Sequence, residues 1–271
     1  MAPILLHVLP ALIYLGLALA WRLRGESSSR QHVAAARAGL ALALAVHGIT
    51  LFADVGGADG PPRFGFSVAL SMTLWLCMVF YWIEAWFARI ENLQAVAMPV
   101  AAAAALLPLF FPGQHMLPNA GTLAFRLHFV VAMLAYSLLT LAAFHAFMMA
   151  VAERQLHSGH ISRVISSLPP LLTLENLLFR LLGVGFALLT ATVFSGVFFS
   201  EELFGKPVTF SHKIVFALAS WLVFGTLLFG RAVWGWRGRR ALRLTLAGLL
   251  LLFLAYIGTR FVLEIILHRP A

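Results

Sequence analysis

The sequence has very little cysteine and very little charge. Cys77 is the single cysteine among 271 residues, so a disulfide framework, a CxxC redox pair and a CxxCH motif are all impossible. Only 11% of the residues are charged while 62% are hydrophobic, and a soluble protein of this length would need more charge to cover its surface. The composition therefore excludes a soluble globular protein and a c-type cytochrome. It also excludes a thiol reductant that acts on a c-type cytochrome.

Lysine is scarce as well, since only two of the 19 basic residues are lysines. The net charge of +9 comes mainly from arginines in short segments between apolar stretches. This distribution is typical of membrane topology and of contact with anionic lipid. No nucleic-acid-binding motif is visible, so nucleic acid is not a predicted partner.

Apolar stretches long enough to cross a bilayer recur along the whole chain. They predict an all-α, polytopic membrane protein, with residues 1–271 forming a single integral membrane domain. The predicted bundle has about eight transmembrane helices: Pro3–Trp21, Val33–Phe52, Phe66–Phe87, Gln94–Phe111, Phe125–Val151, Leu177–Phe199, His212–Val233 and Leu244–Leu267. The start of the chain lacks the basic segment of a signal peptide, so we interpret the first span as a retained helix.

The distribution of lysine and arginine predicts the orientation of the spans. With the N-terminus outside, 13 basic residues lie in inner segments and six lie outside. The positive-inside rule therefore places both termini in the periplasm. We interpret the inner segment Gly235-Trp-Arg-Gly-Arg-Arg240 as a loop that fixes orientation and contacts anionic lipid.

Three histidines are the candidate functional residues. His47 lies late in the second span, His128 opens the fifth and His212 opens the seventh, so the topology brings all three to the outer side. Ionisable groups at membrane depth are costly and usually functional, and neutral imidazole is a common metal and haem-iron ligand. His145 lies 17 residues after His128, or about 25 Å along one helix, so these two cannot ligate the same iron.

Other interpretations of these residues stay open. Each histidine could simply hydrogen-bond to a neighbouring carbonyl group, and Arg126 and Lys213 could pair either with haem propionates or with lipid headgroups. Outer carboxylates are few, which favours haem over Mg²⁺ or Ca²⁺. The remaining histidines at span ends or in loops are expected to be solvated: His7, His115, His157, His160 and His268.

The second half of the chain contains a series of tracts in a fixed order. They are Leu127-His-Phe, Ala135-Tyr136, Leu168-Pro-Pro-Leu-Leu-Thr-Leu-Glu175, Leu188-Leu-Thr, Ser195-Gly196, His212-Lys213, Trp221, Gly235–Arg240 and Leu254-Ala-Tyr-Ile-Gly258. Together these tracts resemble the cytochrome c assembly membrane-protein family (CcsA/HemX-like), and within it the bacterial inner-membrane YpjD type. The resemblance is strongest over residues 125–265 and weaker before it, where His47-Gly48 carries it.

The resemblance implies an eight-helix, haem-handling protein of the bacterial inner membrane, with His128 as a haem-iron ligand and His47 and His212 as additions of the YpjD type. The implied haem is b-type and non-covalent, and the implied partners are membrane lipids and cytochrome c biogenesis proteins. The family's tryptophan-rich haem-presenting tract has no counterpart in Ser200–Ser211, and Leu228-Phe-Gly-Arg231 lacks the family's inner histidine. We therefore expect haem binding in support of cytochrome c assembly or haem homeostasis, without an identified catalytic residue. The alternatives are an accessory protein of divalent metal-ion transport and a structural or regulatory membrane partner.

Overall fold

A computed structural model describes residues 2–23, 30–56, 63–88, 90, 93–112, 115–116, 122–159, 162–166, 168–200 and 212–266. The chain divides into two compact units. Unit 1 comprises residues 1–114 and 162–169, and unit 2 comprises residues 115–161 and 170–271. The prediction of a single membrane domain is not tested by this division and stays a prediction.

Unit 1 is built from four apolar helices. They are α1 (Ala2–Leu23), α2 (Arg30–Val55), α3 (Phe66–Phe87) and α4 (Gln94–Phe110), and the unit also holds β1 (Arg63–Phe64) and the short helix α6 (Arg163–Ser166). Helix α1 packs on α2 and α4, and α3 packs on the same two helices, so the four form a closed ring. Ala101, Ala102, Ala104 and Ala105 of α4 are buried, and such small side chains let neighbouring membrane helices pack closely.

Unit 2 is also built mainly from apolar helices. It contains β2 (His115–Met116), α5 (Leu123–Ser158), α7 (Leu171–Phe198), α8 (His212–Trp234) and α9 (Gly238–Phe253). Helix α9 continues through a π-helical segment (Leu254–Gly258), α10 (Thr259–Phe261) and a second π-helical segment (Val262–Ile266). Each of α5, α7, α8 and α9 packs on the next and α9 packs back on α5, so unit 2 is also a closed ring of four.

The helices confirm the predicted membrane fold. Within the described residues, seven helices are long and apolar enough to cross a membrane, and α4 is a shorter apolar helix. Its 17 residues, which include Pro99 and Pro108, span about 25 Å, slightly less than the ~30 Å of a hydrocarbon core. The periplasmic location of the termini is not tested by the fold and stays a prediction.

Three helix ends lie six or seven residues from the predicted ones. Helix α5 runs to Ser158 instead of Val151, because Glu153-Arg154-Gln155-Leu156 are strong helix formers, and it ends at Gly159 with a left-handed φ of 72°. Helix α7 begins at Leu171, directly after the proline pair, instead of at Leu177. The last helix begins at Gly238, so much of the predicted arginine loop is helical.

Polar side chains join the helices of unit 2 inside the apolar ring. The Tyr136 hydroxyl donates to the Leu252 carbonyl oxygen at 3.1 Å, and the Ser220 hydroxyl donates to the Gly248 carbonyl oxygen at 2.9 Å. The Trp221 indole donates to the Thr190 hydroxyl at 2.9 Å. Since lipid cannot supply such partners, these bonds help to fix the register between neighbouring membrane helices.

Candidate functional site

Interhelical contacts show that neighbouring helices of unit 2 are antiparallel. Helix α9 contacts α5 through the Leu252–Tyr136 pair and again through the Arg239–Glu153 pair, so the two helices run in opposite directions. The same holds for α7 and α8, which meet at Thr190 with Trp221 and at Glu175 with Arg231. The starts of α5 and α8 therefore lie at one end of unit 2 with the ends of α7 and α10, and we call this the His128 end.

His128 is held by a serine of the neighbouring helix. Its Nδ1 lies 2.8 Å from Ser195 Oγ, while Ser195 Oγ also lies 2.7 Å from the Ala191 carbonyl oxygen. The Thr192 carbonyl oxygen lies 3.1 Å from the same Oγ. A serine hydroxyl has one hydrogen, and a carbonyl oxygen can only accept, so that hydrogen is donated to these carbonyl oxygens. Nδ1–H of His128 must then donate to Ser195, which leaves the lone pair of the neutral ring on Nε2.

The imidazole ring of His128 lies directly against the backbone of α7. A Cβ atom at Gly196 would lie 3.4 Å from Cε1 of His128. The ring is partly buried, and it is fixed by Ser195 on one side and by the glycine backbone beside it. The Ser195-Gly196 pair thus sets both the tautomer and the position of the histidine.

The other predicted site residues of unit 2 lie at the same end. His212 is the first residue of α8 and its side chain is exposed, whereas Lys213 beside it is partly buried. Arg126 lies in the first turn of α5 and is exposed. The His128 end therefore carries two histidines and two predicted basic residues.

Arg260 is a basic residue at this end that sequence reasoning counted only as an outer positive charge. It is 7% exposed, and its guanidinium carbon lies 5.8 Å from the centre of the Tyr256 ring. Its Nε and Nη1 atoms are buried and form no hydrogen bond among the described residues. A basic residue inside an apolar span is itself a signal of function. The position of Arg260 within the predicted span Leu244–Leu267 was therefore enough to identify it as a candidate from the sequence.

His47 lies in unit 1, where both of its ring nitrogens have protein partners. Nδ1 lies 3.4 Å from the Tyr14 hydroxyl and Nε2 lies 3.0 Å from Ser71 Oγ. The side chain is 1% exposed. His47 is thus a buried, hydrogen-bonded histidine, and its predicted grouping with His128 and His212 joins residues of two different units and stays a prediction.

His7 is buried, although we expected it to be solvated. Its Nδ1 lies 3.1 Å from the Ala105 carbonyl oxygen and its Nε2 lies 3.3 Å from Asp54 Oδ1. The end of α2 and the face of α4 cover it, which a position near the chain terminus does not reveal. His157 is exposed as predicted, and the side chains of His115, His160 and His268 lie outside the described residues.

The comparison with protein families decides what the chain is. A family model described as Cytochrome C assembly protein matches residues 10–267. The chain belongs to the cytochrome c assembly protein family. This match confirms the resemblance found in the sequence and extends it across the first half of the chain, where the residues alone carried it weakly.

Individual proteins are similar to the chain over different lengths. Inner membrane protein YpjD of Escherichia coli (strain K12) is 29% identical over 231 residues, covering 83% of this chain and 85% of that protein. An uncharacterised 28.8 kDa protein of Azospirillum brasilense is 32% identical over 209 residues, covering 75% of this chain and 76% of that protein. The predicted location in the bacterial inner membrane, as a multi-pass protein, is confirmed.

The similarity to CcsA proteins covers only part of the chain. Cytochrome c biogenesis protein CcsA of Gloeobacter violaceus is 33% identical over 92 residues, covering 34% of this chain and 27% of that protein. No solved structure matches the chain. The segment in which we found no tryptophan-rich tract, residues 201–211, lies outside the described residues.

The part of the chain that the structure describes contains no metal-binding cluster, meaning no group of at least three His, Cys, Asp or Glu side chains that could hold an ion. His145 is fully buried in the middle of α5, far along the helix from His128. The candidate site residues of unit 2 are therefore single histidines and not a cluster, and the His128 ring is fixed by Ser195 Oγ at 2.8 Å from its Nδ1.

The opposite end of unit 2 carries the arginines of the predicted inner loop, and several of them have carboxylate partners. Glu175 Oε1 lies 2.6 Å from Arg237 Nε and 2.9 Å from Arg231 Nη1. Glu153 Oε1 lies 2.8 Å from Arg239 Nε. These arginines thus join α7 and α5 to the turn between α8 and α9, a structural role in addition to the lipid contact that we predicted.

Proposed function

We propose that this member of the cytochrome c assembly family binds haem non-covalently, as a b-type haem, at the His128 end of unit 2. In this proposal, the protein supports cytochrome c assembly or haem homeostasis in the inner membrane. The observation that carries the proposal is the 2.8 Å hydrogen bond between His128 Nδ1 and Ser195 Oγ, since donation from Nδ1–H places the lone pair of the neutral ring on Nε2. Histidine ligands commonly donate their other ring N–H to a protein acceptor in this way.

The residues at the His128 end fit a haem. His128 offers an oriented nitrogen, and Lys213 and Arg126 offer positive charge for the propionate carboxylates. His212 is the favoured second axial ligand because it lies at the same end of the same unit. His47 is the other candidate, but it would first have to break its bonds to Tyr14 and Ser71.

A bound haem would supply an iron centre, either as a redox group or as cargo for the assembly of a cytochrome. The role of the chain is then to hold the porphyrin, orient its axial ligand and keep it in an apolar surround. Partners from cytochrome c biogenesis are part of the proposal, and similarity to proteins named for that process supports them.

Haem titration of the detergent-purified protein, followed by absorption spectroscopy, tests the proposal. If both axial positions are filled, the wild type should give a low-spin bis-histidine spectrum. His128→Ala should abolish binding or change the spectrum to high spin. His157→Ala is the matched control, because it removes an exposed histidine from the same helix and should leave the spectrum unchanged.

The outcomes separate the alternatives. An unchanged spectrum at full occupancy in His128→Ala would show that another residue ligates the iron. A wild type that never acquires haem, but supports metal accumulation that depends on His47 and His212, would favour the accessory role in metal transport. A wild type with neither property would favour the structural or regulatory role.

A further inference from the structure

Arg260 is a cation that is buried in an apolar helix. Only 7% of its surface is exposed, and its Nε and Nη1 atoms have no hydrogen-bond partner among the described residues. The Tyr256 ring at 5.8 Å stabilises the charge only in part. Arginine cannot lose its proton in a protein, so the charge has to be balanced by another group.

The backbone around Arg260 is also unusual. The residue lies in α10, a three-residue α-helical stretch between two π-helical segments. Thr259, beside it, bonds through its hydroxyl to the Leu254 carbonyl oxygen, five residues back. π-Helical turns widen a helix and are frequent at functional sites, which agrees with a side chain placed for a ligand.

A second cation lies at the same level of unit 2. Lys213 precedes the α8–α9 turn at Gly235 by about 22 residues and Arg260 follows Gly238 by about 22, so both lie about 33 Å from the turn on antiparallel helices. Helix α8 also packs against the π-helical segment Leu254–Gly258, which directly precedes α10 and Arg260. Lys213 also lies in the first turn of α8, where the helix dipole adds positive potential.

Two neighbouring cations at membrane depth repel each other unless an anion lies between them. The N–H groups of a guanidinium donate charge-assisted hydrogen bonds to the oxygens of a carboxylate or a phosphate, and Nε and Nη1 of Arg260 have no such acceptor among the described residues. Arg260 and His128 each lie eight residues from the Tyr136–Leu252 hydrogen bond, on the same side of it, so the anion would lie at the level of His128.

We propose that Arg260 and Lys213 form an oxyanion site at the His128 end of unit 2, which binds a propionate carboxylate of the haem or the phosphate of an anionic lipid. The carboxylate form of this inference rests on the proposed haem binding, whereas the phosphate form does not. Arg260 provides the directional hydrogen bonds, and Lys213 provides a second charge.

The test compares two ligands and two variants. Ferric haem and its dimethyl ester, which lacks the carboxylate charges, are titrated into wild type and Arg260→Gln. We expect Arg260→Gln to weaken haem binding about tenfold to a hundredfold, as is typical for a hydrogen bond between charged groups, and to leave binding of the ester unchanged. Arg260→Lys should recover only part of the affinity, because it keeps the charge but loses the planar fork.

A thermal unfolding measurement covers the phosphate form. Phosphatidylglycerol added to the detergent-solubilised protein should raise the unfolding temperature of the wild type more than phosphatidylcholine does, and Arg260→Gln should lose that difference if lipid phosphate occupies the site. Arg240→Gln is the control in both experiments, since it removes an exposed arginine from the opposite end.

Each outcome decides between the forms. Ester discrimination that depends on Arg260 supports the carboxylate form, and a lipid effect alone supports the phosphate form and overturns the carboxylate assignment. If the wild type binds haem but Arg260→Gln behaves as the wild type in both experiments, the oxyanion site is refuted and the proposed function stands. If the wild type binds neither porphyrin, the proposed function fails and the lipid experiment alone decides the inference.

Discussion

Replacing Ser195 with alanine should weaken haem binding without removing the axial ligand. The substitution deletes the acceptor 2.8 Å from His128 Nδ1, so the ring loses both its fixed tautomer and its orientation. A hydrogen bond of this kind contributes about 1 kcal/mol, and the loss of such a supporting bond typically lowers metal affinity about tenfold to a hundredfold. We therefore expect about a tenfold increase in the Kd for haem, with a spectrum that still shows histidine ligation.

Equilibrium titration followed at the Soret band measures this change. Ser195→Thr keeps the hydroxyl group and should restore most of the affinity. Thr192→Ala is the matched control, because the Thr192 hydroxyl bonds to the Leu188 carbonyl oxygen in the same helix and makes no bond to His128. The reasoning is refuted if Ser195→Ala binds haem as tightly as the wild type, or if Thr192→Ala loses as much affinity.

Two further predictions concern topology and stability. Reporter fusions at Ala271 and in the turn Gly235–Arg237 should give opposite signals, periplasmic for the first and cytoplasmic for the second, and a cytoplasmic Ala271 would contradict the orientation. Glu175→Gln removes the carboxylate shared by two partly exposed arginines and should lower the free energy of unfolding by about 1–2 kcal/mol, between the values for exposed and buried ion pairs. Glu153→Gln, which affects one more exposed pair, should cost less, and equal losses in thermal unfolding would argue against the shared role of Glu175.

The membrane fold could be predicted because lipid imposes a simple rule on sequence. A spanning helix has to be apolar for about 20 residues, and each predicted span overlaps a helix of the structure. Helix ends were harder to predict, because the apolar stretch that a bilayer requires does not determine how far a helix continues into water. Helix α5 continues through Glu153-Arg154-Gln155 because these residues favour helix and because Arg239 pairs with Glu153.

The candidate site could be predicted only in part, because tertiary contacts decide what a histidine does. Position along the spans singled out His128, but its tautomer depends on Ser195, which lies 67 residues away in sequence. The same argument from position predicted that His7 is solvated, although it is buried in contact with Asp54 and Ala105. Arg260 was counted as a topology signal, and only packing reveals that its guanidinium is enclosed.

The absorption spectrum of the full chain, purified in detergent from haem-replete cells, tests the central claim most directly. Haem held by histidine from one or both sides gives a Soret band, and filling of both axial positions adds the sharp visible bands of low-spin iron. Haem binding at the His128 end predicts a Soret band at a stoichiometry near one haem per chain. A protein that is folded and monodisperse but shows no Soret band, even after added haem, would contradict the proposal.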